Sequence, residues 1–396
     1  MKLAIIISHP IQYNVPLFRL LAERGVIEIM VFYSWGNAVI ENKYDPGFGR
    51  VIKWDIPLLE GYPSKFLDNT SRRPGSDHFL GIINPDIVPQ IDAWKPDAVL
   101  IYGWNFKSHL MTMRHYKGKL PVYFRGDSTL LDDRPGLRHI IRNIFLKWVY
   151  SRVDKVFYVG QRNKEYFERA GLKDSELIRA PHAIDNDFFQ THADEHEAEA
   201  KQWRQSLKIG QDSLVFLFAG KMERKKAPLL LLEAFKAAQF PESTHLIFVG
   251  SGELDGALMA AAKSGNIHFI GFQNQKRMPV VYRLGDVFVL PSAGPAETWG
   301  LAINEAMACG RPVIASSKCG GAIDLIREGL NGYIFESGNK KDLQHKLSLF
   351  QKNKEEIREM GNQALQNIQN FTLLRIAEAI EQTITGRQDT RSTHDG

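Results

Sequence analysis

The chain has 396 residues, of which 44% are hydrophobic and 24% are charged. This is the composition of a folded globular protein, and the length predicts two domains. The net charge of +5 favours anionic partners, but the dense basic runs of a nucleic-acid-binding tail are missing. No stretch approaches the ~20 apolar residues that a membrane span needs.

The first residues and the cysteines indicate the cellular compartment of the protein. The apolar run at 3–7 is too short for a signal peptide and instead predicts a first β-strand. Cys309 and Cys319 are the only cysteines and share no C-x-x-C spacing. A disulfide framework is therefore not expected, and a reducing compartment fits. The protein is expected in the cytoplasm, either free or at the inner face of the membrane.

Short runs rich in Val, Ile and Phe alternate with helical patterns, which predicts parallel sheets covered on both faces. In the first half the runs lie at 3–8, 27–34, 98–103, 121–126 and 155–160. In the second half they lie at 213–220, 245–250, 267–271, 286–292, 312–317 and 332–336. The predicted fold class is α/β, with two Rossmann-like domains whose parallel sheets face a central cleft.

A change in composition around RAPHAIDNDFF (179–189) marks the predicted domain boundary. The predicted segments are an N-terminal Rossmann-like domain at 1–185, a linker and helix at 186–208, a C-terminal Rossmann-like domain at 209–372, a C-terminal helix at 373–386 and a disordered tail at 387–396. The helix at 373–386 is amphipathic, and one option is that it packs back on the N-terminal domain.

The most informative stretch is LPSAGPAETWGLAINEAMACGRPVIAS, residues 290–316. A strand ends at Leu290, and a helix is predicted to open near Gly300 and run through Ala308. The amides of Gly300 and Leu301 would form an anion site suited to a phosphate. Glu297 and Glu305 flank that site, and carboxylates accept hydrogen bonds strongly from sugar hydroxyls. The alternative is a helix capped by an acidic loop, with Glu305 on its solvated face.

A second stretch, AGKMERKKAPLLLLEAF (219–235), places several cations at a strand-to-helix turn. A helix is predicted to begin at Pro228, a residue favoured in the first turn. Two of the cations would neutralise a diphosphate at the mouth of the cleft. A solvated basic loop is the alternative.

Together these stretches resemble family-four glycosyltransferases with the GT-B fold, over about 210–385. The family's two glutamates lie eight positions apart, followed by an alanine-rich helix, Gly and Pro-Val, as in ETWGLAINE and AMACGRPVIA. Its glycine, basic residue and later lysine match Gly220, Lys221 and Lys226. VGSGE (249–253) and GFQNQ (271–275) also match strand ends of the family.

The resemblance implies a retaining transfer of a sugar from a nucleotide-sugar donor. Lys221 and Lys226 would hold the diphosphate, Glu297 would contact the donor sugar, and Glu305 the ribose. The implied donor-binding set also contains Gly220, Gly271, Phe272, Gln273, Thr298, Trp299, Gly300 and Leu301. Neither a metal nor a cofactor is expected, because side chains and the helix dipole supply the positive charge and the nucleotide sugar is a co-substrate.

The tripeptide RGD (125–127) ends the predicted strand PVYFRG and is not expected to act in adhesion. In the resemblance, Arg125 stands where the family usually has a histidine that faces the reacting sugar. Arginine stays protonated and is no general base, so Arg125 would bind a phosphate or carboxylate. Asp127 would pair with it or handle the acceptor's proton. The alternative is an Arg125–Asp127 pair that only shapes the loop.

The loop after the first strand, SHPIQYNVPLF (8–18), lacks the Gly-Gly pair found in many family members. His9, Gln12, Tyr13 and Asn14 are expected to line the acceptor side instead, although His9 fits equally well as a hydrogen-bonded loop histidine. Asp185-Asn186-Asp187 resembles a metal-binding D-x-D motif, but it is interpreted as a hinge turn between the domains.

Basic and apolar residues alternate with near-helical spacing at 136–155. Such a helix suits an anionic membrane surface and a lipid-linked acceptor. The preferred alternative is a domain helix with a solvated basic face. The predicted function is a cytoplasmic, metal-independent glycosyltransferase of polysaccharide biosynthesis, acting on a glycan, lipid-linked or small-molecule acceptor. A non-catalytic nucleotide-sugar binding protein and a sugar-nucleotide epimerase are the alternatives, and no nucleic-acid partner is expected.

Overall fold

The computed structural model describes residues 1–37, 44–45, 47–48, 50–51, 53–133 and 136–386, without side-chain detail at 44–45, 50–51 and 137–138. The predicted tail at 387–396 lies outside the described residues. The chain divides into two units. The first is made of Met1–Lys43, Pro57–Pro181 and Leu373–Gly396. The second is made of Tyr44–Ile56 and His182–Thr372.

The first unit is built on a parallel sheet in the strand order β5-β2-β1-β6-β7-β8-β9. Its strands are β1 (Lys2–Ile7), β2 (Glu28–Tyr33), β5 (Ser64–Phe66), β6 (Ala98–Tyr102), β7 (Val122–Arg125), β8 (Lys155–Tyr158) and β9 (Leu177–Arg179). The central strands are almost wholly apolar and buried, as expected for parallel strands covered on both faces.

Helices join these strands and cover the sheet of the first unit. They are α1 (Val15–Arg24), α2 (Ile87–Trp94), α3 (Lys107–Tyr116), α4 (Leu137–Tyr150), α5 (Gln161–Arg169) and, at the end of the described chain, α15 (Leu373–Thr385). The first helix ends where Gly25 takes a left-handed conformation and donates its N–H to the Leu21 carbonyl. The last helix packs on the first, and Arg24 donates to both carboxylate oxygens of Glu381 at 2.8–3.1 Å.

The second unit contains a parallel sheet in the order β12-β11-β10-β13-β14-β15. Its strands are β10 (Leu214–Ala219), β11 (Thr244–Val249), β12 (Ile267–Ile270), β13 (Val287–Leu290), β14 (Val313–Ser316) and β15 (Gly332–Phe335). The chain adds strands on one side of β10 and then on the other. The β10–β13 edge is therefore a topological switch point, where open α/β sheets bind ligands.

The helices of the second unit follow the same alternating order. They are α6 (Asn186–Gln190), α7 (Ala193–Ser206), α8 (Pro228–Ala237), α9 (Asp255–Ala261), α10 (Met278–Arg283), α11 (Leu301–Ala308), α12 (Ala322–Leu325), α13 (Lys340–Ser348) and α14 (Lys354–Ile368). Side-chain caps fix the starts of α13 and α14: Asn339 accepts a hydrogen bond from the Asp342 amide, and Asn353 accepts one from the Glu356 amide. The predicted helices that open near Gly300 and at Pro228 are confirmed.

One segment lies in a different unit from the one predicted. Residues 44–56 contain the short antiparallel pair β3 (Tyr44–Asp45) and β4 (Arg50–Val51), and they belong to the second unit. Hydrogen bonds explain this placement, since Asn274 Nδ2 donates to the Lys53 carbonyl at 2.8 Å and the Lys276 amide to Asp55 at 3.1 Å. The second unit also starts at His182, so the predicted extent 1–185 of the first domain differs from the observed unit at both places.

Candidate active site

The two stretches singled out in the second half lie side by side at the switch point of the second sheet. Strand β10 is hydrogen-bonded to β13, and each is followed by one of the two loops, 220–227 and 291–300. The loops are tied together because the Ala293 amide donates to the Lys225 carbonyl at 2.8 Å. The fold thus brings the basic turn and the acidic loop to one edge of the sheet.

Within this edge, a lysine and a glutamate 71 residues apart form an ion pair. Lys226 Nζ contacts Glu297 Oε2, and Ser292 Oγ donates to the same oxygen at 2.7 Å. The two charged side chains are 21% and 11% exposed, so they remain within reach of a ligand. The structure brings together the cation predicted to hold a diphosphate and the carboxylate predicted to contact a sugar.

The amino end of α11 completes this group. Gly300 precedes the helix with φ of +91°, a conformation that favours glycine. The first amides of a helix have no partner from a preceding turn, and these amides and the positive end of the helix dipole attract an anion. The backbone of Glu297 is fixed nearby, because its carbonyl accepts from the Gly320 amide at 3.0 Å.

Glu305 and Trp299 lie deeper than the sequence suggested. Glu305 is 3% exposed and accepts a hydrogen bond from the Tyr282 hydroxyl at 2.5 Å. Trp299 is also 3% exposed, and its Nε1 donates to Asn304 Oδ1 at 2.8 Å. Their burial favours a role in supporting the loop from inside. The ribose contact of Glu305 and the donor contact of Trp299 stay predictions.

On the β12 side of the sheet, two aromatic rings lie close to the predicted base-binding residues. The Phe48 ring is 4.9 Å from the Phe272 ring and stands edge-on to it, while Lys221 Nζ lies 5.1 Å from the centre of Phe48. Gln273 Nε2 donates to the Gly271 carbonyl at 3.2 Å. Sequence reasoning missed Phe48, because nothing in the sequence connects it to residues more than 170 positions away.

The glycine of the basic turn has a close backbone neighbour. A Cβ at Gly250 would lie 1.9 Å from the Gly220 carbonyl oxygen, and the Gly220 amide donates to the Val249 carbonyl. The absence of a side chain at Gly250 therefore allows the loops after β10 and β11 to lie in contact. Thr298, the remaining predicted donor-binding residue, is half-buried in the loop before α11, and its contact with a donor stays a prediction.

Sequence reasoning also missed three supporting residues of this site. Ser292 lies at the end of the predicted strand DVFVLPS (286–292), so the sequence predicted its place in the fold. Its hydrogen bond to Glu297 could not be predicted from the sequence. Tyr282 and Asn304 lie on α10 and α11, and their partners Glu305 and Trp299 can be recognised only once the helices are packed. Asn304 lies with Trp299 and Glu305 in the ETWGLAINE motif, but the motif does not show which of its side chains bond to each other.

In the first unit, Arg125 is occupied by backbone carbonyls. Its Nη1 donates to the Ala180 carbonyl at 2.8 Å and its Nη2 to that of Pro181 at 3.3 Å. Arg125 is 5% exposed, and burial lowers the pKa of its guanidinium, while Tyr102 and Asp127 act in the opposite direction. These contacts favour a structural role over the catalytic one. Asp127 is half-buried near Arg125, and its role in the reaction stays a prediction.

The predicted acceptor-side residues lie at the switch point of the first sheet. They follow β1, whose neighbours β2 and β6 continue the sheet in opposite directions. His9 Nδ1 is hydrogen-bonded to Ser8 Oγ at 2.9 Å, and its ring stands edge-on to Trp35 at 5.1 Å. Gln12, Tyr13 and Asn14 are half-buried, with Asn14 immediately before α1. Sequence reasoning missed Trp35.

The D-x-D motif caps a helix. Asp185 precedes α6 and accepts a hydrogen bond from the Phe188 amide at 3.2 Å. Asn186 Nδ2 donates to the carbonyls of Ile368 and Phe371. Over the described ranges, no group of three or more His, Cys, Asp or Glu residues is arranged to hold a metal ion. In the same part of the chain, no helix combines the length and apolarity that crossing a membrane requires.

The second unit matches a known protein family. Residues 199–367 match the family model described as glycosyl transferases group 1. The chain is 34% identical to lipopolysaccharide 1,2-N-acetylglucosaminetransferase of Salmonella typhimurium over 33% of this chain and 37% of that protein. It is 26% identical to the N,N'-diacetylbacillosaminyl-diphospho-undecaprenol alpha-1,3-N-acetylgalactosaminyltransferase of Campylobacter jejuni over 54% and 55%. The chain spans between 35% and 61% of the length of eight curated relatives that it matches.

Solved structures are similar over nearly the whole chain. HepE of Anabaena, solved in complex with UDP and glucose, has a TM-score of 0.72 and 18% identity over 98% of this chain and 100% of that one. WaaG, a glycosyltransferase involved in lipopolysaccharide biosynthesis, has a TM-score of 0.66 and 14% identity over 97% and 100%. The fold is that of the GT-B glycosyltransferases. The match of residues 199–367 to the model of the group 1 glycosyl transferases confirms the resemblance stated from the sequence.

Proposed function

We propose that this protein is a glycosyltransferase that moves a sugar, with retention of configuration, from a nucleotide-diphosphate sugar to a glycan, lipid-linked or small-molecule acceptor. The observation that carries the proposal is the Lys226–Glu297 pair beside the amino end of α11. A cation, a carboxylate and a helix N-terminus meet at the switch point of the second sheet, as binding of a sugar diphosphate requires.

In the reaction, the bond between the sugar C1 and the diphosphate oxygen breaks, and its electron pair stays on the departing nucleotide diphosphate. A new bond forms from C1 to an acceptor hydroxyl oxygen, and the proton of that hydroxyl passes to the departing diphosphate oxygen. Lys226, Lys221 and the amides of α11 stabilise the negative charge on the leaving group. Preorganised donors of this kind contribute roughly 2.7–4 kcal/mol each to transition-state stabilisation.

The ion pair gives Glu297 a second role before the donor arrives. It neutralises Lys226, with Ser292 hydrogen-bonded to the same carboxylate oxygen. When a diphosphate takes over Lys226, the carboxylate is released to accept hydrogen bonds from the donor sugar. The exchange replaces one anion by another at the lysine, so the cation does not lose its partner as the site fills.

We further propose that the transfer is independent of metal ions. The charge of the diphosphate is balanced by the two lysines and the helix dipole. Turnover is expected to be unchanged by excess EDTA and not raised by added Mg²⁺ or Mn²⁺. A loss of turnover in EDTA that Mg²⁺ restores would contradict this part of the proposal.

The acceptor and the location are proposed from the relatives' names. The Salmonella protein is named for lipopolysaccharide and the Campylobacter protein for an undecaprenol-linked acceptor. We propose a glycan or lipid-linked acceptor, a place in polysaccharide biosynthesis, and a cytoplasmic location at the inner face of the membrane.

Donor binding is tested first by thermal unfolding with UDP, GDP, ADP or dTDP, for the wild type, Lys226→Ala and Lys263→Ala. Lys263 is an exposed lysine outside the site and serves as the matched control. A nucleotide at 100 times its dissociation constant adds about 2.7 kcal/mol and raises the midpoint by several degrees. One nucleotide is expected to shift the wild type and the control but not Lys226→Ala. No shift by any of the four would overturn the donor assignment.

Turnover is then tested with the sugar nucleotides of the base so identified. Formation of a glycoside with the donor's anomeric configuration supports the proposal, and inversion contradicts retention. Binding without turnover across glycan, lipid-linked and small acceptors would indicate a nucleotide-sugar binding protein. Conversion of one sugar nucleotide into another without any acceptor would indicate an epimerase.

A further inference from the structure

Helix α4 exposes an apolar face to solvent. Five of its large apolar side chains are 37% to 65% exposed, more than on any other element of the described chain: Ile140, Ile141, Ile144, Phe145 and Trp148. At 100° per residue they occupy an arc of about 140°. We name this arc the α4 face. The opposite side packs into the first unit through the buried Leu146, Val149 and Tyr150.

Aromatic contacts order part of the α4 face. Phe145 and Trp148 are stacked with ring centres 5.6 Å apart, and Phe145 stands edge-on to Trp104 at 5.4 Å. Trp148 is 37% exposed although it stacks on Phe145. Because these two rings are already ordered, their binding to a partner costs little side-chain conformational entropy.

Cations surround the α4 face. The guanidinium of Arg152 lies 4.7 Å from the centre of the Trp148 ring, and that of Arg114, on α3, lies 5.8 Å from it. Lys147 is exposed at one border of the arc. The acidic residue Asp133 is engaged by Arg142 and His139. The resulting surface is apolar in its centre and positive at its rim.

This distribution differs from a solvated basic face, the preferred alternative of the sequence analysis. That alternative places polar side chains outward and the apolar ones in the core. Here the isoleucines face solvent, and a contiguous exposed apolar strip on a globular protein marks an interaction surface. A second copy of the chain would bring two positive rims together, which opposes self-association.

We propose that the α4 face docks on an anionic lipid bilayer. The isoleucines and Phe145 enter the boundary between headgroups and acyl chains, and Trp148 takes the interfacial position that suits its ring. Arg114, Arg152 and Lys147 meet lipid phosphates. The inference is drawn from the first unit alone and does not rest on the proposed sugar transfer.

Vesicle flotation tests this docking. Wild-type protein is mixed with vesicles of phosphatidylcholine, with or without about 30% phosphatidylglycerol, at low and high salt. Ile140→Glu/Ile144→Glu removes the apolar contact, and Arg114→Gln/Arg152→Gln removes two cations. Met259→Glu/Leu330→Glu is the matched control, because these side chains are 56% and 42% exposed in the second unit.

The wild type and the control are expected to float with the anionic vesicles and not with phosphatidylcholine alone. Partitioning is expected to fall about a hundredfold in the isoleucine variant, since each inserted aliphatic side chain contributes at least tenfold. The arginine variant is expected to lose about fivefold for each cation. High salt should weaken the binding of the wild type.

Three outcomes overturn the proposal: no flotation of the wild type, equal flotation with neutral vesicles, or equal losses in the isoleucine variant and the control. Sedimentation of the protein without lipid can give a fourth outcome that overturns the proposal. If the wild type is a dimer that Ile140→Glu/Ile144→Glu converts to a monomer, the α4 face is a self-interface. Every variant should keep the wild-type midpoint of thermal unfolding without ligand, which shows that it is folded and separates this test from that of the proposed function.

Discussion

At the scale of the residue, the contacts of Arg125 distinguish a structural role of the arginine in the RGD tripeptide from a catalytic one. Its guanidinium bonds the carbonyls of Ala180 and Pro181, so its fixed fork of donors is used by the backbone. Lysine keeps the charge but cannot reach both carbonyls with the same geometry. Arg125→Lys is expected to lower the free energy of unfolding by roughly 1.5–3 kcal/mol.

Urea unfolding and nucleotide titration check this prediction. The dissociation constant of the nucleotide should be the same in Arg125→Lys as in the wild type, because the residues proposed to bind the donor lie in the second unit. An unchanged stability together with a loss of turnover of about a hundredfold or more would instead indicate a catalytic arginine.

His109 is a second buried residue with a measurable consequence. Its Nε2 is hydrogen-bonded to Ser34 Oγ at 2.8 Å and its Nδ1 to the Gly103 carbonyl at 2.9 Å. Burial lowers the pKa of His109 from 6.5 to about 4, although the bond to Gly103 opposes the change. The unfolded chain therefore takes up a proton before the folded one does as the pH falls.

The stability associated with neutral His109 is full above pH 6.5 and is lost as the pH falls toward 4. The loss should reach about 3 kcal/mol in the wild type. Urea unfolding from pH 7 to 4 is expected to show a shallower decline for His109→Gln than for the wild type. His345→Gln, at an exposed histidine, should keep the wild-type slope. Parallel curves for the wild type and His109→Gln would contradict the prediction.

At the scale of the element, the ion pair between α1 and α15 secures the last helix. The Glu381 side chain is 4% exposed, that of Arg24 is 30% exposed, and the bond to Glu381 raises the pKa of Arg24. Glu381→Gln removes the charge and keeps the shape, so it should cost about 2 kcal/mol.

A double-mutant cycle with Arg24→Leu measures this coupling. The double variant is expected to be more stable than the sum of the two single losses predicts, because each single change leaves one polar group without its partner. Additive losses would show that the two helices are held by apolar packing alone.

The elements themselves were predictable where the signal was strong. The central strands of both sheets are long apolar runs, and Gly, Pro and Asn mark the helix ends. The edge strands Ser64–Phe66 and Leu177–Arg179 were missed because three residues carry no usable period. Residues 44–56 were assigned to the wrong unit, since their contacts with Asn274 and Lys276 are long-range.

Prediction of the candidate site from the sequence was limited in the same way. Lys226 and Glu297 were singled out because each lies in a motif. The partners of Arg125 are backbone carbonyls, which every residue has, so the sequence does not reveal them. The depth of Glu305 and Trp299 also follows from packing that no local pattern encodes. Motifs therefore marked the residues proposed to bind the donor, and tertiary contacts determine how deeply each of them is buried.

At the scale of the whole molecule, the two units should respond differently to a nucleotide. The predicted donor residues all lie in the second unit, so a ligand stabilises that unit directly. In calorimetry, a nucleotide at 100 times its dissociation constant should raise one unfolding transition by about 5–10 °C and leave the other unchanged.

Lys226→Ala identifies the transition that responds, since the variant should lose the shift there. The control is Lys263→Ala, which should behave as the wild type does. Equal shifts of both transitions, or a single shared transition, would contradict independent unfolding of the units.

The composition of the first unit also sets an order of events during synthesis. Arg24 must wait for Glu381, which the ribosome adds 357 residues later. At about 5–20 residues per second, this interval lasts on the order of 20–70 seconds. Throughout it, the surface of α1 that α15 will cover is open to chaperones. The first part of the chain to be made is thus among the last to be completed.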